Sequence, residues 1–160
     1  MNARCLLRPA LAATACALSI MPVAFAADMA MVNPNDIKWG DAPPSLPKGA
    51  QAAVLSGDPG KDGPFVMRLK TPANYKIPPH THTQAENLTV LSGALMLGMG
   101  EKIDKSSEHT LQPGGFHALP GKTPHYAMSK VPSVIQINGN GPFDISYINP
   151  ADDPAKAAKK

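Results

Sequence analysis

The sequence predicts an all-β domain, and three features of the chain indicate this class. Glycine and proline are frequent, with 13 and 18 of 160 residues, while aromatic residues make up only 5%. This composition is typical of short strands joined by tight turns, and turn clusters recur about every eight to twelve residues, as in a sandwich or barrel. No helical hydrophobic period of useful length lies between them. The predicted strands are 36–40, 50–55, 65–69, 75–77, 86–91, 94–99, 110–112, 116–119, 134–137 and 143–147.

The first 26 residues resemble a targeting segment that does not belong to the fold. Two arginines precede a short apolar run at residues 11–23, and Ala24–Ala26 has the small-x-small pattern of a signal-peptidase site. A membrane span needs about 20 apolar residues, and this run is shorter. Cleavage after Ala26 would make the mature chain periplasmic or secreted. Lipidation of Cys16 is the disfavoured alternative, because the leucine usual in such a signal is missing.

The body of the chain has the size of one domain, about 134 residues after cleavage. We divide the sequence into a signal peptide (1–26), an N-terminal strand and linker (27–48), a barrel (49–149) and a flexible tail (150–160). Both cysteines lie in the predicted signal peptide, so the mature chain would have no disulfide and no thiolate ligand. Loss of two arginines would lower the formal net charge from +3 to +1, and no basic stripe for nucleic acid remains.

Four residues form a candidate metal site. His80 and His82 lie one residue apart, so on a strand their side chains point to the same face. Glu86 keeps that parity if the strand carries through. Pro124-His125, some forty residues later, can bring a third imidazole from a distant strand. Imidazole and carboxylate together suit a divalent metal ion.

These residues carry a resemblance to the cupin superfamily. The sequence from His80 through His82 and Glu86 to Gly93 is similar to the first cupin motif, and Pro113 through His125 resembles the second, with a looser match. The resemblance implies an all-β double-stranded β-helix, the jelly-roll barrel, with a metal inside its mouth. Carried over by position, the implied metal ligands are His80, His82, Glu86 and His125.

The implied metal and function are linked questions. Iron, manganese, nickel or cobalt with octahedral geometry would keep two positions open beyond four protein ligands, whereas zinc could be saturated by the same four. One function class is a metal-dependent enzyme acting on a small organic molecule, with dioxygenase chemistry the leading expectation and Glu86 as a catalytic proton shuttle. The other is a non-catalytic binding protein with a structural metal.

The sequence also supports expectations about residues other than the four implied metal ligands. His109 should be exposed, while His117 faces either solvent or the barrel interior, where it could support the site. Arg68 is the one arginine near the ligands, which disfavours strongly anionic substrates. The sequence does not decide whether the chain forms a homodimer; such a dimer would use sheet edges or the segment around Trp39. An apolar pocket could be formed by Phe65, Met67, Tyr75, Leu95, Leu97, Met99, Tyr126 and Met128.

Overall fold

The computed structural model describes residues 30–157, and the predicted signal peptide lies outside them. This part of the chain forms eleven strands, three short 3-10 helices (Pro34–Asp36, Lys105–Ser107 and Pro150–Asp152) and one four-residue helix, α1 (Pro154–Ala157). The strands are β1 (Gly40–Asp41), β2 (Gln51–Ser56), β3 (Gly63–Thr71), β4 (Tyr75–Thr81), β5 (Glu86–Ser92), β6 (Leu95–Met99), β7 (His109–Leu111), β8 (Phe116–Leu119), β9 (His125–Ser129), β10 (Ser133–Gly141) and β11 (Ser146–Tyr147).

The strands form two antiparallel sheets. One has the order β1-β2-β3-β10-β5-β8 and the other β11-β4-β9-β6-β7. Inward side chains alternate with outward ones along the long strands, as in β3, where Phe65, Met67 and Leu69 are buried. The apolar core lies between the two sheets. This arrangement is the predicted jelly roll, so the all-β prediction is confirmed.

Most predicted strands are present, with many ends shifted by one or two residues and larger differences at four strands. The strand expected at 75–77 continues to Thr81. The strand expected at 36–40 is reduced to the two-residue β1, since a 3-10 helix ends at Asp36 and residues 37–39 have no regular structure. The strand expected at 134–137 continues to Gly141, through the residues predicted as a turn. The strand expected at 143–147 is reduced to β11, and residues 142–145 instead cross the barrel mouth. Strand β9 was not among the strands predicted by position, although His125, which begins it, was expected to lie on a strand distant from His80.

A bulge in β4 sets the position of the first histidine. The pairing of β4 with β9 shifts between Ile77 and His80, where Pro78 and Pro79 have no N–H to donate to the ladder. The extra residue reverses the side-chain parity, so Tyr75 and Ile77 share the cavity-facing side with His80 and His82. His80 thereby lies directly opposite His125 on β9.

The two ends of the described chain pack on the barrel. The strap (residues 41–47) lies over its interior, held by hydrogen bonds that Tyr75 and Tyr147 donate to the carbonyls of Pro47 (2.6 Å) and Ser45 (2.7 Å). Strand β1 pairs with β2 of the same chain, and the homodimer stays a prediction. Residues 150–156, predicted as part of a flexible tail, form short helical turns. Across residues 30–157, no helix combines the length and apolar character that crossing a membrane requires.

Candidate metal centre

Three histidines from different parts of the sequence meet at the mouth of the barrel. His80 is the penultimate residue of β4, His82 follows β4 in the turn to β5, and His125 begins β9. All three are buried, and one ring nitrogen of each lies within 4.8 Å of the others. The ring centroids of His80 and His125 are 4.2 Å apart, a consequence of their direct pairing across β4 and β9. The structure therefore brings together the three imidazoles that the sequence singled out.

Each imidazole is oriented by a backbone carbonyl. The Nδ1–H of His80 donates to Pro78 O (2.7 Å), and that of His125 donates to Thr123 O (2.9 Å). The Nδ1–H of His82 donates to the carbonyl oxygen of Asp144, 62 residues away. A carbonyl only accepts, so Nδ1 must carry the hydrogen, and in a neutral ring Nε2 then presents its lone pair. A metal-binding histidine needs this tautomer, with its second nitrogen held by an acceptor.

Glu86 joins the histidines by a different route from the one predicted. Strand β4 ends at Thr81, and Glu86 begins β5 in the opposite sheet, so the condition for shared parity, one continuous strand, is not met. In the turn between β4 and β5 the chain passes from one sheet to the other, and this places the Glu86 carboxylate beside the histidines. Glu86 Oε2 lies 3.7 Å from Nε2 of His82 and 3.6 Å from Nε2 of His125. Two donors about 2.1 Å from one ion are separated by at most about 4.2 Å, so these distances are compatible with a shared metal.

Two residues of the mouth segment (residues 142–145) belong to the site, although the sequence did not indicate them. The Asp144 carboxylate accepts hydrogen bonds from the backbone N–H (2.7 Å) and the hydroxyl (2.8 Å) of Thr83. This clamp fixes the segment whose carbonyl holds His82. The ring of Phe143 stacks on the His82 ring, with 4.4 Å between the ring centroids and an interplanar angle of 18°. The Phe65 ring contacts Phe143 in turn. No local spacing relates residue 144 to residue 82, so only the tertiary structure reveals the contact.

Burial lowers the pKa of two imidazoles at the site, those of His80 and His82. The pKa of His80 falls from its ordinary 6.5 to about 3, chiefly because burial penalises the charged ring and also because His125 is close. Burial also lowers the pKa of His82, against the opposing effect of Glu86. For Asp144, burial acts to raise the pKa, but the two hydrogen bonds from Thr83 outweigh it and the pKa is lowered. A neutral imidazole is the protonation state in which histidine binds a metal, so the lowered pKa values of His80 and His82 favour metal binding.

These shifts predict an acid-sensitive metal-free protein. After EDTA treatment, we expect stability to be greatest above pH 6.5 and to decrease as the pH falls towards 3. The reason is that unfolded His80 takes up a proton in this window, whereas folded His80 does not. Each such histidine lowers the free energy of unfolding by up to about 1.4 kcal/mol per pH unit.

Urea unfolding at pH 7.0, 5.5 and 4.5 measures this dependence. Carboxylates contribute to any acid transition, so the comparison of variants is decisive. His80→Gln should flatten the pH dependence, and His109→Gln, at an exposed strand position, should not. Identical pH profiles for wild type and His80→Gln would contradict the assignment.

The site opens into a cavity of about 560 Å³ between the sheets. Of the predicted pocket residues, Met67, Tyr75, Leu95, Leu97 and Met128 line it. Three others do not. Phe65 lies behind Phe143, Met99 is outside the lining, and Tyr126 points to the other face of its sheet, where its hydroxyl contacts the backbone of Asp104.

The other histidines and Arg68 lie apart from the three-histidine cluster. His109 is exposed, as predicted. His117 is half-buried and pairs with Leu88, whose side chain lines the cavity, so it belongs to the inward face at the sheet edge. Its role stays a prediction. Arg68 points outward and donates to Gln136 Oε1 (3.1 Å).

Solved structures with the same architecture are cupins or share their fold. The polyketide cyclase RemF from Streptomyces resistomycificus superposes with a TM-score of 0.61 at 19% identity, covering 83% of this chain and 94% of that one. A proposed acetylacetone dioxygenase from Methylibium petroleiphilum PM1 gives 0.61 at 16% identity, covering 79% and 85%. An RmlC-like cupin from Shewanella frigidimarina gives 0.55 at 9% identity, covering 72% and 94%.

The strand order and these neighbours together show the cupin fold, the jelly-roll barrel that the motif resemblance implied. Comparison of the sequence with family models assigns the chain to one family. Residues 5–146 match the family described as "Domain of unknown function (DUF4437)", and the chain belongs to that family. No curated protein matches the chain in sequence.

Proposed function

We propose that this protein is an exported, metal-dependent cupin enzyme acting on a small organic molecule, with dioxygenase-like chemistry as the leading activity. The observation that carries the proposal is the convergence of His80, His82 and His125, each with its Nδ1 bonded to a backbone carbonyl so that Nε2 is the nitrogen available to a metal. Glu86 lies beside them and supplies an oxygen donor. Histidines that only pack against one another, without a metal, would not need all three rings held in this tautomer at the wall of a cavity.

The donor set fits a divalent ion. Three neutral nitrogens and one carboxylate oxygen suit iron, manganese, nickel, cobalt or zinc, and His80, His82, Glu86 and His125 would hold the ion. A bound metal would supply Lewis acidity and, for a redox-active ion, a means of handling dioxygen. The protein's own contribution is to orient the donors and to exclude bulk water from the reacting molecule.

Glu86 is the residue that we assign to proton transfer. Its side chain lines the cavity, and its Oε2 faces two imidazoles. A carboxylate placed between the donors and a bound molecule can accept a proton from that molecule and return it later. In this assignment Glu86 acts both as a donor to the metal and as the base.

The relatives support a substrate with neighbouring oxygen atoms. RemF is a polyketide cyclase, and the Methylibium protein is a proposed dioxygenase for acetylacetone. Polyketide chains and acetylacetone share the 1,3-dicarbonyl group, whose enolate offers two oxygens to one cation. We therefore place 1,3-dicarbonyl compounds first among candidate substrates.

A non-catalytic metal-binding protein is the second candidate. Four protein donors complete a tetrahedral zinc site, and burial of all four residues favours such a structural role. In this case the metal would stabilise the barrel and would not react. Metal removal should then lower the melting temperature, since metal that binds only the folded state contributes to folding free energy.

Elemental analysis together with oxygen uptake tests the proposal. The mature protein is isolated from the exported fraction without a metal-affinity column, and mass spectrometry of its N-terminus checks cleavage after Ala26. We expect about one iron or manganese per chain and oxygen consumption with pentane-2,4-dione, both absent after EDTA treatment. Stoichiometric zinc without turnover would favour the structural role, and a chain free of metal at every stage would overturn both candidates.

A further inference from the structure

The apolar cavity suggests the chemical class of the ligand. Beyond the histidines, the walls are aliphatic side chains from both sheets, including Leu69, Leu88, Leu95, Ile135 and Ile137. The volume of about 560 Å³ lies in the range of about 300–1,000 Å³ that drug-sized ligands occupy. Pockets of this kind bind by removing apolar surface from water.

Charge around the cavity disfavours anions. Within residues 30–157, no lysine or arginine lines it, and the charged lining residues are the acids Asp41, Glu86 and Asp144. Arg68, the nearest candidate in the sequence, is on the outer face of its sheet and is bonded to Gln136. A phosphate or sulfonate inside the cavity would lose its water and meet no fixed positive side chain from this part of the chain.

Hydrogen-bonding capacity in the cavity is also limited. Thr71 donates to Ser129 (2.8 Å), and the Tyr75 hydroxyl donates to the carbonyl of Pro47 (2.6 Å). In the described part of the chain, no buried side-chain nitrogen or oxygen lacks a partner. The hydroxyls of a sugar would therefore find few groups free to pair, and each unpaired hydroxyl weakens binding by roughly tenfold or more.

We infer that the cavity binds an uncharged molecule with an apolar alkyl or aryl body, and that the few oxygen atoms of this ligand lie at the histidine end. The assignment of the oxygen end rests on the proposed metal site. The apolar body rests on the cavity walls alone, so the two parts can be tested separately.

Matched ligands test the inference in metal-loaded protein. Calorimetry compares pentane-2,4-dione with 1-phenylbutane-1,3-dione, which has the same oxygen pair and a phenyl body, and with glucose 6-phosphate. Because burial of a phenyl group is favourable, we expect at least tenfold tighter binding of the phenyl compound. Equal affinities for the two diketones, or tighter binding of the sugar phosphate, would overturn the inference.

A pair of variants locates the binding surface. Ala52 lines the cavity on β2, whereas Ala118 is exposed on the outer face of the same sheet. Ala52→Phe should weaken binding of the phenyl diketone about tenfold relative to Ala118→Phe, provided that both variants keep the wild-type melting temperature. If Ala52→Phe does not fold, Ala52→Leu serves as the smaller filling substitution. An unchanged affinity in a folded filling variant would place the ligand elsewhere.

A neutral probe separates this inference from the metal proposal. N-phenyl-1-naphthylamine has no oxygen atoms and fluoresces more strongly in apolar surroundings. EDTA-treated protein should still bind it, and 1-phenylbutane-1,3-dione should displace it. Protein that binds metal but not the probe would refute the apolar-body assignment alone, whereas probe binding without any metal affinity would refute the proposed function alone.

Discussion

Replacing His125 with alanine is expected to lower metal affinity by roughly a hundredfold or more while the barrel stays folded. His125 lies opposite His80 in the β4–β9 pairing, and its Nε2 is 3.6 Å from Glu86. Its removal therefore takes away a donor at the centre of the cluster. The ring faces an existing cavity, so its loss enlarges that space and does not open a new void in a packed core.

Metal content by ICP-MS and competition with a fluorescent chelator measure this effect. His109→Ala is the matched control, because His109 is exposed on β7 and distant in the sheet order from β4. It should bind metal as the wild type does. Equal metal content in His125→Ala and wild type would exclude His125 as a ligand.

Replacing Asp144 with alanine is expected to lower metal affinity by roughly ten- to a hundredfold, although Asp144 itself is not assigned as a ligand. Its carboxylate holds Thr83 through two hydrogen bonds, and its carbonyl accepts the Nδ1–H of His82. The other two histidines bond to carbonyls only two residues away. His82 is therefore the imidazole whose orientation depends on the distant mouth segment.

The size of the effect should follow the number of hydrogen bonds that remain. Asp144→Asn keeps one oxygen acceptor for Thr83 and should lose less affinity than Asp144→Ala. Thr83→Val removes only the hydroxyl, and its effect should not add to that of Asp144→Ala, since both break the same clamp. Metal dissociation rates, measured by transfer to a chelator, report the loosened site directly.

Asp104→Ala is the control for a general effect of losing an aspartate clamp. Asp104 accepts a hydrogen bond from the backbone of Ser106 in an exposed turn, so its loss should not change metal affinity. Wild-type affinity and dissociation rate in a folded Asp144→Ala variant would show that the clamp does not position His82.

Local sequence patterns were sufficient for much of the fold. Alternating apolar residues and regularly spaced turns predicted the strands that match β2 to β8, because side-chain direction in a strand depends only on neighbouring residues. The predicted strand boundaries were wrong where pairing with a strand distant in the sequence determines where the strand ends. Strand β10 continues to Gly141 because β3 pairs along its whole length, which its turn-like composition did not indicate.

The candidate site shows the same division. His80, His82, Glu86 and His125 were identified from spacing and motif resemblance, and the structure brings them together. Strand parity does not apply to Glu86, because the chain changes sheet between β4 and β5 and this change of sheet places Glu86 beside the histidines.

The sequence by itself determined the class of this protein and the residue types at the site, because strand periodicity and motif spacing are properties of neighbouring residues. Only the tertiary structure decided how the site is held and what it opens into. The contact from Asp144 to His82, the stacking of Phe143 on His82 and the aliphatic walls of the cavity all join residues far apart in the chain. Such contacts form when two sheets pack face to face, and their geometry is set by that packing.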